Sequence, residues 1–222
     1  MKRRMTHTLR KTKIVCTMGP NLFEKGLIKP LMLAGMDVAR FNFSHDTHEN
    51  HLKRFKEVCR IRDELGLPVA TMLDTKGPEI RIGTFAEHRV TLDAGQLFTL
   101  TTEDVEGDET RVSVTYKNLP HDVKPGCVIL IDDGLVGMTV ERVTDTDVCC
   151  KVNNGGTISD KKGVNIPDAH LTMPFISPKD REDILFAIEN GFDFIAASFT
   201  RNADDIMQIR HIMAEKHCTS IN

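Results

Sequence analysis

This 222-residue chain has six cysteines but no CxxC pair. Cys16, Cys59, Cys127, Cys149, Cys150 and Cys218 fall mostly in apolar stretches. That pattern reads as reduced thiols in a cytosolic enzyme, not as a disulfide framework or a zinc site. An excess of charge of one sign is also missing: 29 basic and 32 acidic side chains give a formal net charge of -3. Such a balance argues against general nucleic-acid binding, although single basic pockets are compatible with it. The start, MKRRMTHTLRKTK, is basic, but only Ile14, Val15 and Cys16 follow before Gly19-Pro20. It therefore has neither the apolar core of a signal peptide nor the length of a membrane span, and reads as a solvated tail in preference to a short transit peptide. No GxxxxGK[ST] occurs, so Asn153-Asn154-Gly155-Gly156 is a turn and not a Walker loop. The chain shows no internal repeat and no low-complexity segment.

With 40% hydrophobic residues the chain can bury one large core or two smaller ones. Two textures divide it. From Lys11 to Gly83 strands alternate with helices: a strand at Lys13 to Thr17, a helical stretch within Phe23 to Leu33, a strand at Val38 to Phe43, a helix at Thr47 to Leu65 and a strand ending at Asp74. Pro30 predicts a kink or restart in the first helical stretch. Asp46, three residues ahead of Glu49, reads as a capping-box-like start, and Leu52, Phe55, Val58, Ile61 and Leu65 form one apolar stripe that Gly66 ends. From about Thr84 to Thr172 short β segments follow one another between turns rich in Gly, Asp and Asn, with no helix pattern. They predict a small, mostly antiparallel barrel or sandwich inserted into the α/β unit. The α/β texture resumes with a helix at Lys179 to Glu189, a strand at Phe192 to Phe199 and a helix at Ala203 to His217.

Polar residues concentrate where two apolar strands end. Pro68 to Leu73 reads as a buried parallel strand, and Asp74-Thr75-Lys76-Gly77-Pro78-Glu79-Ile80-Arg81 sets an acid, a hydroxyl and three further charges at its carboxyl end, where α/β proteins collect ligands. In Val38 to His45 a period of two places Arg40, Asn42 and Ser44 on one face and Phe41 and Phe43 on the other. Arg40 is as well suited to a structural pair with a carboxylate such as Asp74 as to a ligand role. Asn42, Ser44, Asp74 and Thr75 offer hard oxygens with one negative charge, a set that suits a weakly charged hard cation or a polar network closing the strand ends. His45, His48 and His51 swing around a helix start without a fixed carboxylate, so His48 and His51 are expected on a solvated face.

Five blocks in order, AGMDVARFNFSH (Ala34 to His45), LDTKGPEIR (Leu73 to Arg81), DDGL (Asp132 to Leu135), KKGVNIP (Lys161 to Pro167) and FIAASFTR (Phe194 to Arg201), resemble the pyruvate kinase family closely. The resemblance implies the amino-terminal part of a (β/α)8 TIM barrel with an inserted, mostly antiparallel β-barrel lid domain. On that layout residues 1–83 are the first part of the barrel, 84–172 the lid and 173–222 the incomplete continuation. It implies that Arg40 is the catalytic and substrate-binding residue beside the phosphate of phosphoenolpyruvate. It further implies that Asn42, Ser44, Asp74 and Thr75 hold potassium, and that Asn42, Phe43, Ser44 and His45 line the nucleotide pocket with Arg81 and Lys162 on the nucleotide phosphates. Lys161 is the bystander of the pair. Glu79 stands where potassium-dependent members carry Glu and independent ones Lys. Asp132 and Asp133 serve either lid closure or a hairpin turn, while Ser198 and Arg201 are expected to be structural.

Activity on phosphoenolpyruvate and ADP, with Mg²⁺ and K⁺ as cofactors, homotetramers and a cytoplasmic location follow from the same resemblance, without nucleic-acid or membrane partners. The family's KIE segment and GD pair, which bring the catalytic Lys and the Mg²⁺ ligands, do not occur before Asn222, so the sequence reads as the first portion of a longer enzyme, doubtfully active alone. The alternative is a non-catalytic module that binds phosphate or nucleotide through Arg40, Arg81 and Lys162.

Overall fold

The alternating runs of the first eighty residues fold as parallel strands. In the computed structural model, which describes residues 11–167 and 169–222, β1 (Val15–Thr17), α1 (Pro20–Glu24), α2 (Ile28–Ala34) and β2 (Val38–Asn42) come first. The restart expected at Pro30 falls slightly earlier. Gly26 takes φ +62° between the two helices, and Pro30 then sits in the first turn of α2, where a missing N–H forfeits no helical hydrogen bond. α3 (His48–Leu65) follows and ends on Gly66 in the left-handed conformation. Its cap is Thr47, whose hydroxyl accepts from Asn50 N at 3.3 Å. Asp46, expected to cap, instead adopts φ +73° and pairs with Arg54. β3 (Ala70–Asp74) completes this run, with Phe41 opposite Leu73 and Asn42 opposite Asp74.

The short β segments form β4 (Ile80–Arg81), β5 (Arg89–Leu92), β6 (Leu97–Thr101), β7 (Arg111–Ser113), β8 (Val128–Ile131), β9 (Val136–Val143), β10 (Asp147–Val152), β11 (Gly156–Ser159) and β12 (Gly163–Asn165). One sheet runs β4-β12-β8-β9-β10-β6-β7, antiparallel except for β6 with β7, and β11 pairs with β5 separately. The ends of that order meet. Ile82 bridges Val114, Thr115 N donates to Arg81 O at 2.9 Å and Gly83 N to Ser113 O at 2.8 Å, so the sheet closes on itself as a barrel. Leu100, Ile129, Met138 and Val148, all fully buried, belong to its core.

Two expectations change here. Because β4 pairs with β12, residues 78–83 belong with the β-rich unit, which spans Pro78–Pro174, and not with the α/β segment. A short helix, α4 (Leu119–Asp122), also stands where no helix pattern was visible; Leu119 and Pro120 are buried and anchor it to the barrel core. Within this core burial pushes the Cys150 thiol up to about 12, with Cys149 and Glu141 adding to the effect, so the thiol stays protonated near neutral pH. At pH 8 a soluble alkylating reagent should therefore modify the half-buried Cys149 and spare Cys150. Peptide mass spectrometry showing equal labelling of the two would contradict that burial.

The chain returns as α5 (Pro178–Asn190), β13 (Phe194–Ala196) and α6 (Ala203–Glu215). α5 opens on a capping box between Ser177 and Asp180, and β13 pairs in parallel with β3, giving the order β1-β2-β3-β13. The second compact unit thus consists of the residues up to Gly77 together with Phe175–Asn222. Its core holds Phe41, Phe43, Phe55, Phe186 and Phe192, with Phe192 stacked on Phe55 at 4.4 Å. Parallel strands with covering helices and an inserted closed β barrel are the architecture that the sequence blocks imply. Among the described residues no helix is long and apolar enough to cross a membrane.

Candidate functional site

In the α/β unit the register places Thr17 opposite Arg40, and both Asn42 and Ala196 opposite Asp74. These positions share one face at the carboxyl ends of parallel strands. Arg40 Nε donates to Asp74 Oδ2 at 2.7 Å, its Nη2 lies 2.5 Å from the same oxygen, and its Nη1 donates to Thr17 Oγ1 at 2.8 Å. Asp74 Oδ1 accepts from Ser198 Oγ at 2.7 Å. The structural pair is therefore real, yet it does not exhaust the guanidinium. Of its five N–H groups three are engaged, which leaves one on each terminal nitrogen free among the described residues. Asp74 fixes the plane of the fork, and the remaining pair suits two oxygens of an anion.

The neighbouring oxygens are ordered as well. Asn42 Oδ1 accepts from Ser44 N at 3.0 Å, Phe43 N donates to Asp74 O at 3.0 Å, and Thr75 donates to Ala196 O through N at 3.1 Å and through Oγ1 at 3.3 Å. Ser198 N closes the set by donating to Thr75 Oγ1 at 3.2 Å. An amide oxygen, a hydroxyl, a carboxylate shared with Arg40 and the Thr75 main chain fit a monovalent hard cation. They do not make a zinc centre, because among the described residues no three His, Cys, Asp or Glu side chains gather. Ser198, expected to be structural, joins Asp74 directly and holds that carboxylate in place. Arg201 likewise takes a structural place, paired with Asp205 at 3.1 Å.

The histidine expectation is overturned for His51. His51 is 3% exposed, its ring stacks on Phe43 at 4.1 Å, and its Nε2 lies 2.8 Å from His45 O. Burial pushes its imidazole below the ordinary range, the contact with the His45 carbonyl opposing this. His48 Nε2 sits 2.6 Å from Oδ1 of Asp183, whose side chain is fully buried. The His48 side chain keeps 40% exposure, as a solvated face requires, although α5 brings it a carboxylate 135 residues away in sequence. Phe43 itself is buried in the aromatic core with its main-chain N–H and carbonyl both paired, whereas His45 is exposed.

In the β-barrel unit strand pairing brings Arg81, on β4, beside Lys162, just ahead of β12: Arg81 lies opposite Gly163, Ile82 N donates to Lys162 O at 2.9 Å, and Arg81 Nη1 donates to Lys161 O at 2.5 Å. Each has a carboxylate partner, Glu79 at 2.5 Å and Asp132 at 3.0 Å respectively. Asp132 and Asp133 both have φ +54° in the turn ahead of Gly134, which shows the hairpin role.

The family model described as pyruvate kinase, barrel domain, matches residues 9–222. This chain belongs to the pyruvate kinase family. It is 44% identical over 215 residues to a pyruvate kinase of Bacillus licheniformis, covering 96% of this chain and 37% of that protein. With a pyruvate kinase of Clostridium acetobutylicum it shares 42% identity over 208 residues, 93% of this chain and 44% of the other. A crystal structure of a pyruvate kinase from Cryptosporidium parvum superposes with a TM-score of 0.82 at 38% identity, covering 93% of this chain and 42% of that one. The chain thus spans about two fifths of the length of the curated pyruvate kinases it matches.

Proposed function

We propose that this chain supplies the phosphoenolpyruvate-binding half of a pyruvate kinase site, in a cytoplasmic, homotetrameric enzyme that transfers the phosphoryl group to ADP with Mg²⁺ and K⁺. The observation that supports this best is Arg40, held flat by Asp74 and Thr17 with an N–H left on each terminal nitrogen, beside oxygens suited to a monovalent cation. Phosphoryl transfer needs positioned positive charge more than covalent help from the protein. Arg40 binds two phosphate oxygens and neutralises charge that spreads as the group leaves, while Ser198 orients Asp74, which keeps the guanidinium from swinging away. A cation held by Asn42, Ser44, Asp74 and Thr75 would add further positive charge beside that group. Arg81 and Lys162 in the β-barrel unit are the proposed contacts for nucleotide phosphates, and in the α/β unit Asn42, Phe43, Ser44 and His45 are the residues proposed to line a nucleotide.

The test is pyruvate formation from phosphoenolpyruvate and ADP by the protein that carries these residues, with Mg²⁺ and either KCl or NaCl. Turnover favoured by K⁺ is expected. Glu79→Lys places a tethered cation where potassium-independent members carry one and should cut the stimulation by K⁺ at least about tenfold, the equivalent of one charge-assisted interaction. An unchanged response to K⁺ would remove Glu79 from the assignment, and a protein inert to phosphoenolpyruvate under all these salts would favour the binding-module alternative.

A further inference from the structure

The segment that joins β2 to α3 is held by side chains from two helices. Lys179 Nζ, from α5, donates to Phe43 O at 2.8 Å and to Asp183 Oδ2 at 2.6 Å. From α3, His51 Nε2 reaches His45 O at 2.8 Å. A carbonyl only accepts, so Nε2 carries the proton and His51 is present as that tautomer. Its Nδ1 is buried with no partner among the described residues, an orphaned acceptor that a purely apolar core would have no reason to carry. Asp183 is likewise expensive to bury. Its side chain has no solvent exposure and is satisfied by His48 at 2.6 Å on one oxygen and by Lys179 on the other. Such a network is weak support for stability, since apolar residues of the same size would serve as well, but it fixes one geometry. The carbonyls it fixes, at 43 and 45, flank Ser44 and follow Asn42.

We propose that Lys179 and His51 are positioning residues, a two-helix clamp on the Phe43 and His45 carbonyls that preorganises Asn42 and Ser44 as ligands for a monovalent cation. The clamp rests on the cation reading above for its purpose, though not for its existence. Held carbonyls cannot rotate toward the cation site, so the Asn42 amide and Ser44 hydroxyl present their oxygens without first ordering the segment. Asp183 and His48 act one step further out: Asp183 anchors the ammonium that would otherwise leave for solvent, and His48 keeps Asp183 satisfied. The ring stack of His51 on Phe43 adds a second attachment to the same residue.

The experiment compares the chain with Lys179→Met, His51→Leu and His51→Gln. Met keeps the apolar stem without the donor, Leu keeps the volume of His without the donor, and Gln can still donate an amide N–H to the His45 carbonyl. Titration with KCl against NaCl, followed through amide NMR shifts of residues 42–45, gives K⁺ affinity; hydrogen exchange on the same samples reports order. Losing either clamp should weaken K⁺ binding about tenfold, the consequence of one lost hydrogen bond. Exchange at residues 43–46 should accelerate while α3 beyond its first turn stays protected. His51→Gln should lie within about threefold of the parent. Parent-like K⁺ affinity in both Lys179→Met and His51→Leu, or a Gln variant as weak as the Leu variant, would overturn the clamp. Should the parent bind no K⁺, the cation reading falls, and exchange at 43–46 alone then decides: acceleration in Lys179→Met and His51→Leu sustains the clamp, and unchanged exchange ends it.

Discussion

Replacing Arg40 with Lys in the active enzyme should lower kcat/KM for phosphoenolpyruvate by about a hundredfold or more, the range seen when one preorganised donor to a developing anion is lost. A single ammonium cannot do what the guanidinium does here. Arg40 satisfies Asp74 and Thr17 and still presents an N–H on each terminal nitrogen; Lys has three donors on one atom and would have to leave Asp74 in order to reach a phosphate. The loss should appear in kcat as well as KM, since charge on the phosphoryl oxygens redistributes in the transition state. A variant with kcat/KM within threefold of the parent would show that Arg40 serves only to close the strand ends.

The second large effect is expected at Gly77. Its φ of +65° disfavours any side chain, and a Cβ there would stand 2.5 Å from Ser198 O and 3.2 Å from Phe199 Cδ2. Backbone cannot rotate aside as a flexible side chain can, so Gly77→Ala should destabilise the α/β unit by about 3 kcal/mol, combining left-handed strain with displacement of the Ser198 segment. Ser198 supplies a hydrogen bond to Asp74, so the damage should reach Arg40 as well. Urea denaturation monitors the first consequence, and a loss below about 1 kcal/mol would mean that the Gly77 turn tolerates the methyl group.

These two residues also show what the sequence could and could not reveal. Arg40 was legible because a charge inside an alternating strand has a defined face, and Asp74 because an acid ending an apolar run marks the carboxyl end of a parallel strand. The β-rich insert was legible from its turns, but its limit was not: Ile80-Arg81 looks like the continuation of the Asp74 cluster, and only pairing with Gly163-Val164 assigns it to the barrel. The burial of His51 was hidden for the same reason. Helical spacing says where His48 and His51 point on α3 but carries no information on what α5 brings against them, and Asp183 and Lys179 lie far along the chain. Thr47 and Asp46 compete for one cap, and the choice turns on Arg54 drawing Asp46 away, a contact that local propensity does not contain.

β3 and β13 are sheet neighbours although Pro78–Pro174 lies between them. Chain-closure entropy for about a hundred unstructured residues would weigh on that pairing. The barrel removes most of this, because Ile80 near its entry is paired with Val164 near its exit. Once the barrel has formed, the path from β3 to α5 shortens to about eighteen residues, which lowers the closure term by about 1.5 kcal/mol. A domain of this size can therefore hang between consecutive strands of the parallel sheet while the sheet meets it, thermodynamically, as little more than a long hairpin loop.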